Sequence, residues 1–213
     1  MSLRVHVREL RVAGRRLVHD LLLEVPPGAV HTLMGDSGSG KSSLLAALCG
    51  TAPPAVVFDG EVRLAGARVD RLPTRQRGIA ILFQDDLLFP HMTVRENLLF
   101  AVPPGPRPLR EAAVEKALRD LELPGLAQAD PATLSGGQRS RVALVRALLA
   151  QPRAVLLDEP FARLDAALRA RMREFVFGTI AARGIPALLV THDAVDVADP
   201  DRVTRLPSPR ASP

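Results

Sequence analysis

The feature that most constrains the fold of this chain is a glycine-rich segment made of Gly35, Asp36, Ser37, Gly38, Ser39, Gly40, Lys41 and Ser42. It matches the pattern Gly-x-x-x-x-Gly-Lys-[Ser/Thr]. The apolar run Ala29–Met34 before it predicts a strand, and Ser42–Leu48 after it predicts a helix that stops at Gly50. A strand, a glycine-rich loop and a helix in this order predict an α/β protein with a phosphate-binding loop. A glycine-rich turn that binds nothing is the alternative.

The residue types in this loop suit a nucleoside triphosphate. Glycines let backbone N–H groups wrap around phosphates, and the N-terminus of the following helix adds a favourable dipole. We expect Lys41 to reach the β- and γ-phosphates and Ser42 to coordinate Mg²⁺. Ser43, the next residue, is included in the predicted nucleotide site.

A second motif places two acids at the end of an apolar strand. Ala154–Leu157 predicts the strand, and Asp158 and Glu159 follow it directly. Ligands of α/β proteins bind at the carboxyl ends of parallel strands, so both carboxylates should lie near the phosphate loop. We expect Asp158 to hold Mg²⁺ through water and Glu159 to orient or deprotonate an attacking water. Capping of the next helix is the alternative role for these acids.

Composition excludes several other classes of protein. The 213 residues are 47% hydrophobic, but they contain no apolar run long enough to cross a bilayer and no start typical of a secretory signal, so we expect a cytoplasmic chain. Cys49 is the single cysteine, so no internal disulfide is expected. The net charge of +5 comes from basic residues spread along the chain, without Trp or Tyr. Nucleic acid is therefore not an expected partner.

The third motif is Leu134-Ser135-Gly136-Gly137-Gln138, which opens an apolar-periodic helix. By itself it is typical of a capped helix start. Between a phosphate loop and an Asp-Glu strand, however, it resembles the signature of ABC ATPases. The resemblance covers roughly residues 3 to 206 and implies roles for Gln84 as the Q-loop glutamine, which would contact the metal and the attacking water, His192 as the switch histidine and Asp165 as the D-loop aspartate. Taken singly, these three residues also suit a surface polar side chain, a strand-end histidine and a helix N-cap.

The implied fold is an α/β P-loop NTPase of ABC type, with a mostly parallel core sheet flanked by helices, an N-terminal antiparallel β part and a helical subdomain at about residues 88–150. We expect a single domain over residues 1–206 and a disordered tail at 207–213. Further predicted strands are Leu3–Arg8, Leu21–Val25, Glu61–Leu64, Ile79–Phe83, Ala187–Val190 and Val203–Leu206. Further predicted helices are Leu109–Leu121, one beginning near Gly136, and Ala166–Arg183.

The resemblance also implies an activity and partners. ATP and Mg²⁺ would be the ligands, and hydrolysis would energise a transporter from the cytoplasmic face of the inner membrane. Ser135, Gly136 and Gly137, with Gln138 and Asp165 beside them, would complete the ATP site of a second copy in a head-to-tail dimer. Transmembrane permease subunits would be direct partners, and a periplasmic or lipid-anchored solute-binding protein would be an indirect one.

The segment from Phe83 to Leu98 is similar to importer ATPases for thiamine, iron(III), polyamines or sulfate, which favours import over export. A non-transport ABC ATPase and a module that holds ATP without hydrolysing it are the remaining alternatives. The sequence also departs from the family in two places. No aromatic ring is available near Val12 to stack on adenine, and Arg163 replaces a small residue of the D-loop.

Overall fold

A computed structural model describes residues 1–123 and 125–207. The chain divides into two compact units, of which the first holds residues 1–81, 153–159 and those from Phe177 onward, and the second holds 82–152 and 160–176. The strands are β1 (Leu3–Val12), β2 (Arg15–Val25), β3 (Val30–Met34), β4 (Val56–Leu64), β5 (Ala67–Arg68), β6 (Ile79–Leu82), β7 (Ala154–Asp158), β8 (Ala187–Val190) and β9 (Val203–Arg205). The helices are α1 (Lys41–Cys49), α2 (Val94–Ala101), α3 (Arg107–Asp120), α4 (Gly136–Leu149) and α5 (Ala166–Arg183).

The strands form two sheets. The first is antiparallel with the order β2-β1-β4-β5, and the second has the order β6-β7-β8-β3-β9, in which β7, β8, β3 and β9 pair in parallel. Together with the flanking helices, they confirm the predicted α/β class with a mostly parallel core sheet and an N-terminal antiparallel part. The buried core of the first unit lies between these sheets and α1. It includes Val5, Leu45 and Leu156.

The hairpin of β1 and β2 is longer than the sequence predicts. Its register runs from Leu3 opposite Val25 to Val12 opposite Arg15, and Ala13 and Gly14 turn the chain with φ of 49° and 79°. Two successive residues with positive φ make a tight hairpin turn whose twist matches that of the strands. The sequence prediction is short because the distal part of the hairpin carries exposed arginines, which hide the alternation of buried and exposed positions.

The parallel sheet explains why several predicted site residues come together. All residues of β7 and β8 are buried, as expected of strands covered on both faces. Asp158 lies opposite Val190, and Val190 lies opposite Leu33. The carboxyl ends of β7, β8 and β3 therefore meet at one edge of the sheet, where β3 leads into the glycine-rich loop.

The second unit is mainly helical. Helix α2 packs against α3 and α4, and Val94 and Leu98 are fully buried. Besides its similarity to importer ATPases, the segment 83–98 predicts a loop followed by a helix capped by Thr93, with Glu96 three residues on. The structure confirms this cap, because Thr93 and Glu96 form a complete capping box that starts α2. Asn97 fixes the preceding loop, because its amide exchanges hydrogen bonds with the backbone of Phe89 at 2.8 and 3.1 Å.

Two expectations about the chain as a whole stay predictions. The single domain over residues 1–206 is one of them, and the tail expected at 207–213 lies, apart from Pro207, outside the described residues. Within residues 1–123 and 125–207, no helix combines the length and the apolar character needed to span a membrane.

Candidate functional site

The glycine-rich loop joins β3 to α1, as the sequence predicts. Gly40 is the N-cap of α1 and has a φ of 92°, a conformation that favours glycine. A Cβ atom at this position would also lie 3.1 Å from the Cβ of Leu17. Both the backbone conformation and the tight space therefore favour glycine where the loop enters the helix.

The ammonium group of Lys41 is held inside the loop. Its Nζ donates to the carbonyl oxygen of Gly35 at 2.7 Å, to that of Asp36 at 2.8 Å and, more weakly, to Oγ of Ser39 at 3.4 Å. The residue is buried, with 8% of its surface exposed. Its charge is thus fixed at the centre of the loop, where an anionic phosphate would be attracted.

Asp158 lies at the end of β7 and is 3% exposed. Its Oδ1 has no hydrogen-bond partner among the described residues, and the Ser42 side chain lies near the carboxylate. Burial raises the pKa of Asp158, with a smaller contribution from Glu159, whereas Ser42 and Lys41 lower it. A buried carboxylate with an oxygen left over, next to a hydroxyl, is a donor set that fits a hard divalent cation.

Glu159 and His192 form a pair at the same edge of the sheet. Nδ1 of His192 and Oε1 of Glu159 are 2.7 Å apart. The Glu159 side chain is 13% exposed and that of His192 is 69% exposed, so the pair faces solvent through the histidine. Glu159 has a φ of 51°, and its N–H donates to the carbonyl oxygen of Val190 at 2.9 Å. A left-handed conformation in a residue other than glycine is strained and is common at functional sites.

The loop that carries His192 is fixed by two buried residues, Thr191 and Asp196, which belong to none of the sequence motifs. Thr191 is fully buried, and its Oγ1 donates to Asp196 at 3.2 Å and accepts from the Asp193 N–H at 3.0 Å. Asp196 is 1% exposed. The sequence does contain a signal for this loop: Thr191, Asp193 and Asp196 surround His192 directly after a buried strand. Short polar side chains of this kind fix turns.

In the second unit, Ser135 and Gln138 form a capping box at the start of α4. Oγ of Ser135 accepts from the Gln138 N–H at 3.2 Å, and Oε1 of Gln138 accepts from the Ser135 N–H at 2.8 Å. The N–H groups of the first helical turn include those of Gly136 and Gly137, and the positive end of the helix dipole lies there. This turn can therefore serve both as a helix cap and as a binding surface for an anion.

The other predicted residues of the second unit lie in two loops. Asp165 precedes α5, and its Oδ1 accepts from the Leu168 N–H at 3.0 Å, which is an N-cap contact. Gln84 is exposed, two residues beyond the end of β6. The structure thus brings the glycine-rich loop, Asp158, Glu159 and His192 together within the first unit. The signature turn, Gln84 and Asp165 belong to the second.

Comparison with known proteins supports a nucleotide site. The model of the family described as ABC transporter matches residues 18–162. The uncharacterized ABC transporter ATP-binding protein YnjD of Escherichia coli strain K12 is 50% identical over 189 residues, which are 88% of this chain and 87% of the relative. The thiamine import ATP-binding protein ThiQ of Jannaschia sp. strain CCS1 is 40% identical over 194 residues, which are 90% of this chain and 83% of that protein.

Other relatives are longer proteins. The sulfate/thiosulfate import ATP-binding protein CysA of Nocardia farcinica strain IFM 10152 is 42% identical over 185 residues, which are 84% of this chain and 55% of the relative. The chain spans about half the length of this relative and of several other curated import proteins that it matches.

Two solved structures of one bacterial cassette have the same fold. The dimeric structure of this ABC transporter cassette superposes with a TM-score of 0.83 at 25% identity, covering 96% of this chain and 94% of that one. The structure of its post-hydrolysis state bound to ADP and Pi also has a TM-score of 0.83, at 26% identity, and the coverage is 99% and 97%. The chain therefore belongs to the ABC transporter family and is one of its ATP-binding, ATP-hydrolysing cassettes.

Proposed function

We propose that this chain is the Mg²⁺-dependent ATPase subunit that energises solute import by an ABC transporter at the cytoplasmic face of the inner membrane. The observation that carries the proposal is the convergence of the Lys41 loop, the Ser42–Asp158 pair and the Glu159–His192 pair at one edge of the parallel sheet. Phosphoryl transfer needs these parts: a phosphate cradle, oxygen ligands for a metal, and a carboxylate that positions water.

Binding of ATP is the task of the loop and the start of α1. The N–H groups of residues 36–43 surround the phosphates, and Lys41 gives up its weakest bond, that to Ser39, to reach the β- and γ-phosphates. Ser42 and Asp158 would hold Mg²⁺, which would neutralise phosphate charge. The unpartnered Oδ1 of Asp158 is the feature of this chain that supports the assignment of the metal.

Glu159 and His192 act on the attacking water. The carboxylate of Glu159 accepts the hydrogen bond of the water and takes up its proton as the new bond to the γ-phosphorus forms and the bond to the ADP oxygen breaks. His192 fixes the Glu159 carboxylate through Nδ1, and the exposed side chain would lie near the γ-phosphate. The strained backbone of Glu159 keeps its side chain aimed at this position.

A second copy of the chain completes each site in this proposal. Ser135, Gly136, Gly137 and Gln138 of the partner direct the N–H groups of the α4 start at the γ-phosphate, and the partner's Asp165 lies at the same interface. The dimeric form of the related bacterial cassette supports this arrangement. Closure on ATP and opening after hydrolysis then form the two states of the machine.

Import and the membrane partners are inferred from the relatives. Proteins named as import ATP-binding proteins for thiamine, sulfate, iron(III) and glycerol-3-phosphate match most of this chain at 38 to 42% identity. By analogy, permease subunits contact the chain near Gln84, and a periplasmic or lipid-anchored protein delivers the solute.

The assignment of Glu159 is tested by Glu159→Gln, with the exposed Glu115→Gln on α3 as the matched control. We expect E159Q to bind MgATP normally and to release phosphate about 100-fold more slowly than the unmodified protein, because the amide cannot take up a proton. E115Q should behave like the unmodified protein. Unchanged phosphate release by E159Q would rule out Glu159 as the catalytic residue.

The transport assignment is tested with the same variant. Tagged E159Q, loaded with MgATP, is used to recover partners from detergent-solubilised native membranes, and the recovered chains are identified by mass spectrometry. We expect permease subunits and a solute-binding protein. Recovery of a permease alone would favour export, and recovery of soluble nucleic-acid-binding proteins instead would contradict transport.

A further inference from the structure

Asp86, two residues after Gln84, is the centre of a polar cluster within the second unit. Its side chain is only 9% exposed. Oδ2 accepts from Nη1 of Arg163 at 2.9 Å and lies 3.7 Å from Nε of Arg139, and Oδ1 accepts from Oγ of Ser140 at 2.8 Å. We call Asp86, Arg139, Ser140 and Arg163 the Asp86 cluster. It joins three chain segments that are distant in sequence: the loop after Gln84, the beginning of α4 and the loop before Asp165.

Arg163 also packs along the signature turn. A Cβ atom at Gly136 would lie 3.9 Å from Cδ of Arg163, and one at Gly137 would lie 3.3 Å from the Arg163 carbonyl oxygen. The loop is anchored at its start by Phe161, which is fully buried and whose carbonyl oxygen accepts from the Leu164 N–H at 3.1 Å. The stem of Arg163 therefore lies beside Gly136, its backbone lies beside Gly137, and its guanidinium reaches Asp86.

We propose that Asp86 and Arg163 are positioning residues that hold the signature turn and the Asp165 loop together, so that both meet the second copy as one preformed surface. This proposal rests on the head-to-tail dimer proposed above. Neither residue belongs to the ATP site proposed above. They act through Ser135–Gly137 and Asp165, and they reduce the ordering that dimer closure would otherwise require.

The burial of Asp86 indicates that its ion pair with Arg163 contributes more than an ion pair on the exposed surface. Asp86 is largely removed from water, and a buried carboxylate needs its partners. Loss of Arg163 would leave it with Ser140 and a more distant Arg139, whose Nη1 already donates to the Leu134 carbonyl oxygen at 2.7 Å. Exposed ion pairs, in contrast, contribute little. The pair of Arg171 and Glu122 in the same unit is of that exposed kind, with side chains 54% and 55% exposed.

The test compares Asp86→Asn, Arg163→Met and the double variant, each in the E159Q background, with Arg171→Met as the matched control. Hydrogen exchange of the nucleotide-free monomer is measured for residues 135–140 and 161–165. The dimerisation constant with MgATP is measured by analytical ultracentrifugation. Affinity for a fluorescent ATP analogue is measured at concentrations where the chain is monomeric.

We expect both single variants to exchange about tenfold faster in these two segments and to dimerise about tenfold more weakly, with unchanged affinity for the analogue. The double variant should dimerise no more weakly than the single variant with the larger loss, because both substitutions remove the same interaction between Asp86 and Arg163. Arg163→Lys should recover part of the loss, and Arg171→Met should change nothing.

The outcomes separate this proposal from the proposed function. If parental E159Q dimerises with MgATP and the cluster variants dimerise equally well, the positioning role is wrong while the ATPase dimer stands. If the affinity of the monomeric variants for the ATP analogue falls as much as their dimerisation does, the cluster only supports the folded structure and the proposal is overturned. A parent that stays monomeric with MgATP would contradict the dimer itself, and the role of the cluster with it.

Discussion

At the scale of single residues, two neighbouring acids occupy different environments. Asp158 is buried at the end of β7 with an unpartnered oxygen, whereas Glu159 turns out of the strand with a positive φ and pairs with His192. The raised pKa of Asp158 means that the folded protein disfavours its charged form. The cost is absent below the ordinary pKa of an aspartate, because the side chain is then neutral in both the folded and the unfolded state. It grows as the pH rises from the ordinary to the raised pKa, and above the raised pKa it is complete until a cation binds.

This reasoning predicts the effect of Asp158→Asn, which keeps the shape and removes the charge. At neutral pH and without nucleotide or metal, we expect the variant to be more stable than the unmodified protein by about 1 kcal/mol, or a few degrees in melting temperature. Addition of MgADP should raise the melting temperature of the unmodified protein but not that of the variant. Asp201→Asn at an exposed position is the control. A lower melting temperature of apo D158N would contradict the assignment of a destabilising buried charge.

At the scale of elements, the C-terminus of α1 is held by specific contacts, as is its N-terminus at the glycine-rich loop. Gly50 ends the helix with a φ of 87°, and its N–H donates to the Ala46 carbonyl oxygen at 2.9 Å. Arg77 approaches from a separate loop and donates through Nη1 to the carbonyl oxygens of Ala47 at 3.0 Å and Leu48 at 2.8 Å. A cation that satisfies the last carbonyl groups of a helix stabilises it. A Cβ at Gly50 would lie only 2.6 Å from Cζ of Arg77.

Gly50→Ala should therefore destabilise the protein more than its backbone conformation alone explains. Gly66→Ala is the matched control, since Gly66 has a φ of 82° but no atom within 4 Å of an added Cβ. We expect G66A to cost about 1 kcal/mol and G50A about 3 kcal/mol in free energy of unfolding, measured with urea. In an Arg77→Ala background, the cost of G50A should fall to that of G66A. Equal costs in the original background would show that the Arg77 contact contributes nothing.

At the scale of the whole molecule, the predicted site residues fall in both compact units. The first holds the phosphate loop, Asp158, Glu159 and His192, and the second holds Gln84, the signature turn and Asp165. In the proposed head-to-tail dimer, the first unit of one copy works with the second unit of the other. Each copy then supplies half of two separate sites, which makes complementation between defective variants possible.

Mixing Lys41→Ala with Gly136→Asp tests this arrangement. The first variant lacks the lysine that binds phosphate, and the second places a carboxylate at the signature turn. A side chain fits there without a steric clash, because the nearest atom to an added Cβ at Gly136 is 3.9 Å away. Each alone should be inactive. An equal mixture should recover about a quarter of the activity of the unmodified protein, because half of the dimers then contain one intact site of two. Recovery of untagged G136D with tagged K41A in the presence of MgATP is the control for formation of mixed dimers. Phosphate release that stays at background in the K41A and G136D mixture, although the two variants are recovered together, would contradict a shared site.

The sequence predicts the fold well where local residues are sufficient. The apolar runs at Ala154–Leu157 and Ala187–Val190 predict buried strands, and Ala166–Arg183 is a helix with the predicted ends. Prediction is weaker for the hairpin of β1 and β2, whose outer part is held by pairing between strands and not by its own apolar pattern. The roles assigned to the site residues stay predictions, since geometry alone does not test them.

The sequence by itself determined the order strand, glycine-rich loop, helix, because glycine conformations, helix caps and apolar periodicity act over a few neighbouring residues. The sequence also predicts that Asp158 lies near the phosphate loop, but only the tertiary structure decided that Glu159 meets His192 and that Asp86 meets Arg163. These pairs are separated by 33 and 77 positions in the chain. They form because the order of parallel strands and the packing of loops on helix ends bring distant segments together. Local sequence patterns do not specify which distant segments meet.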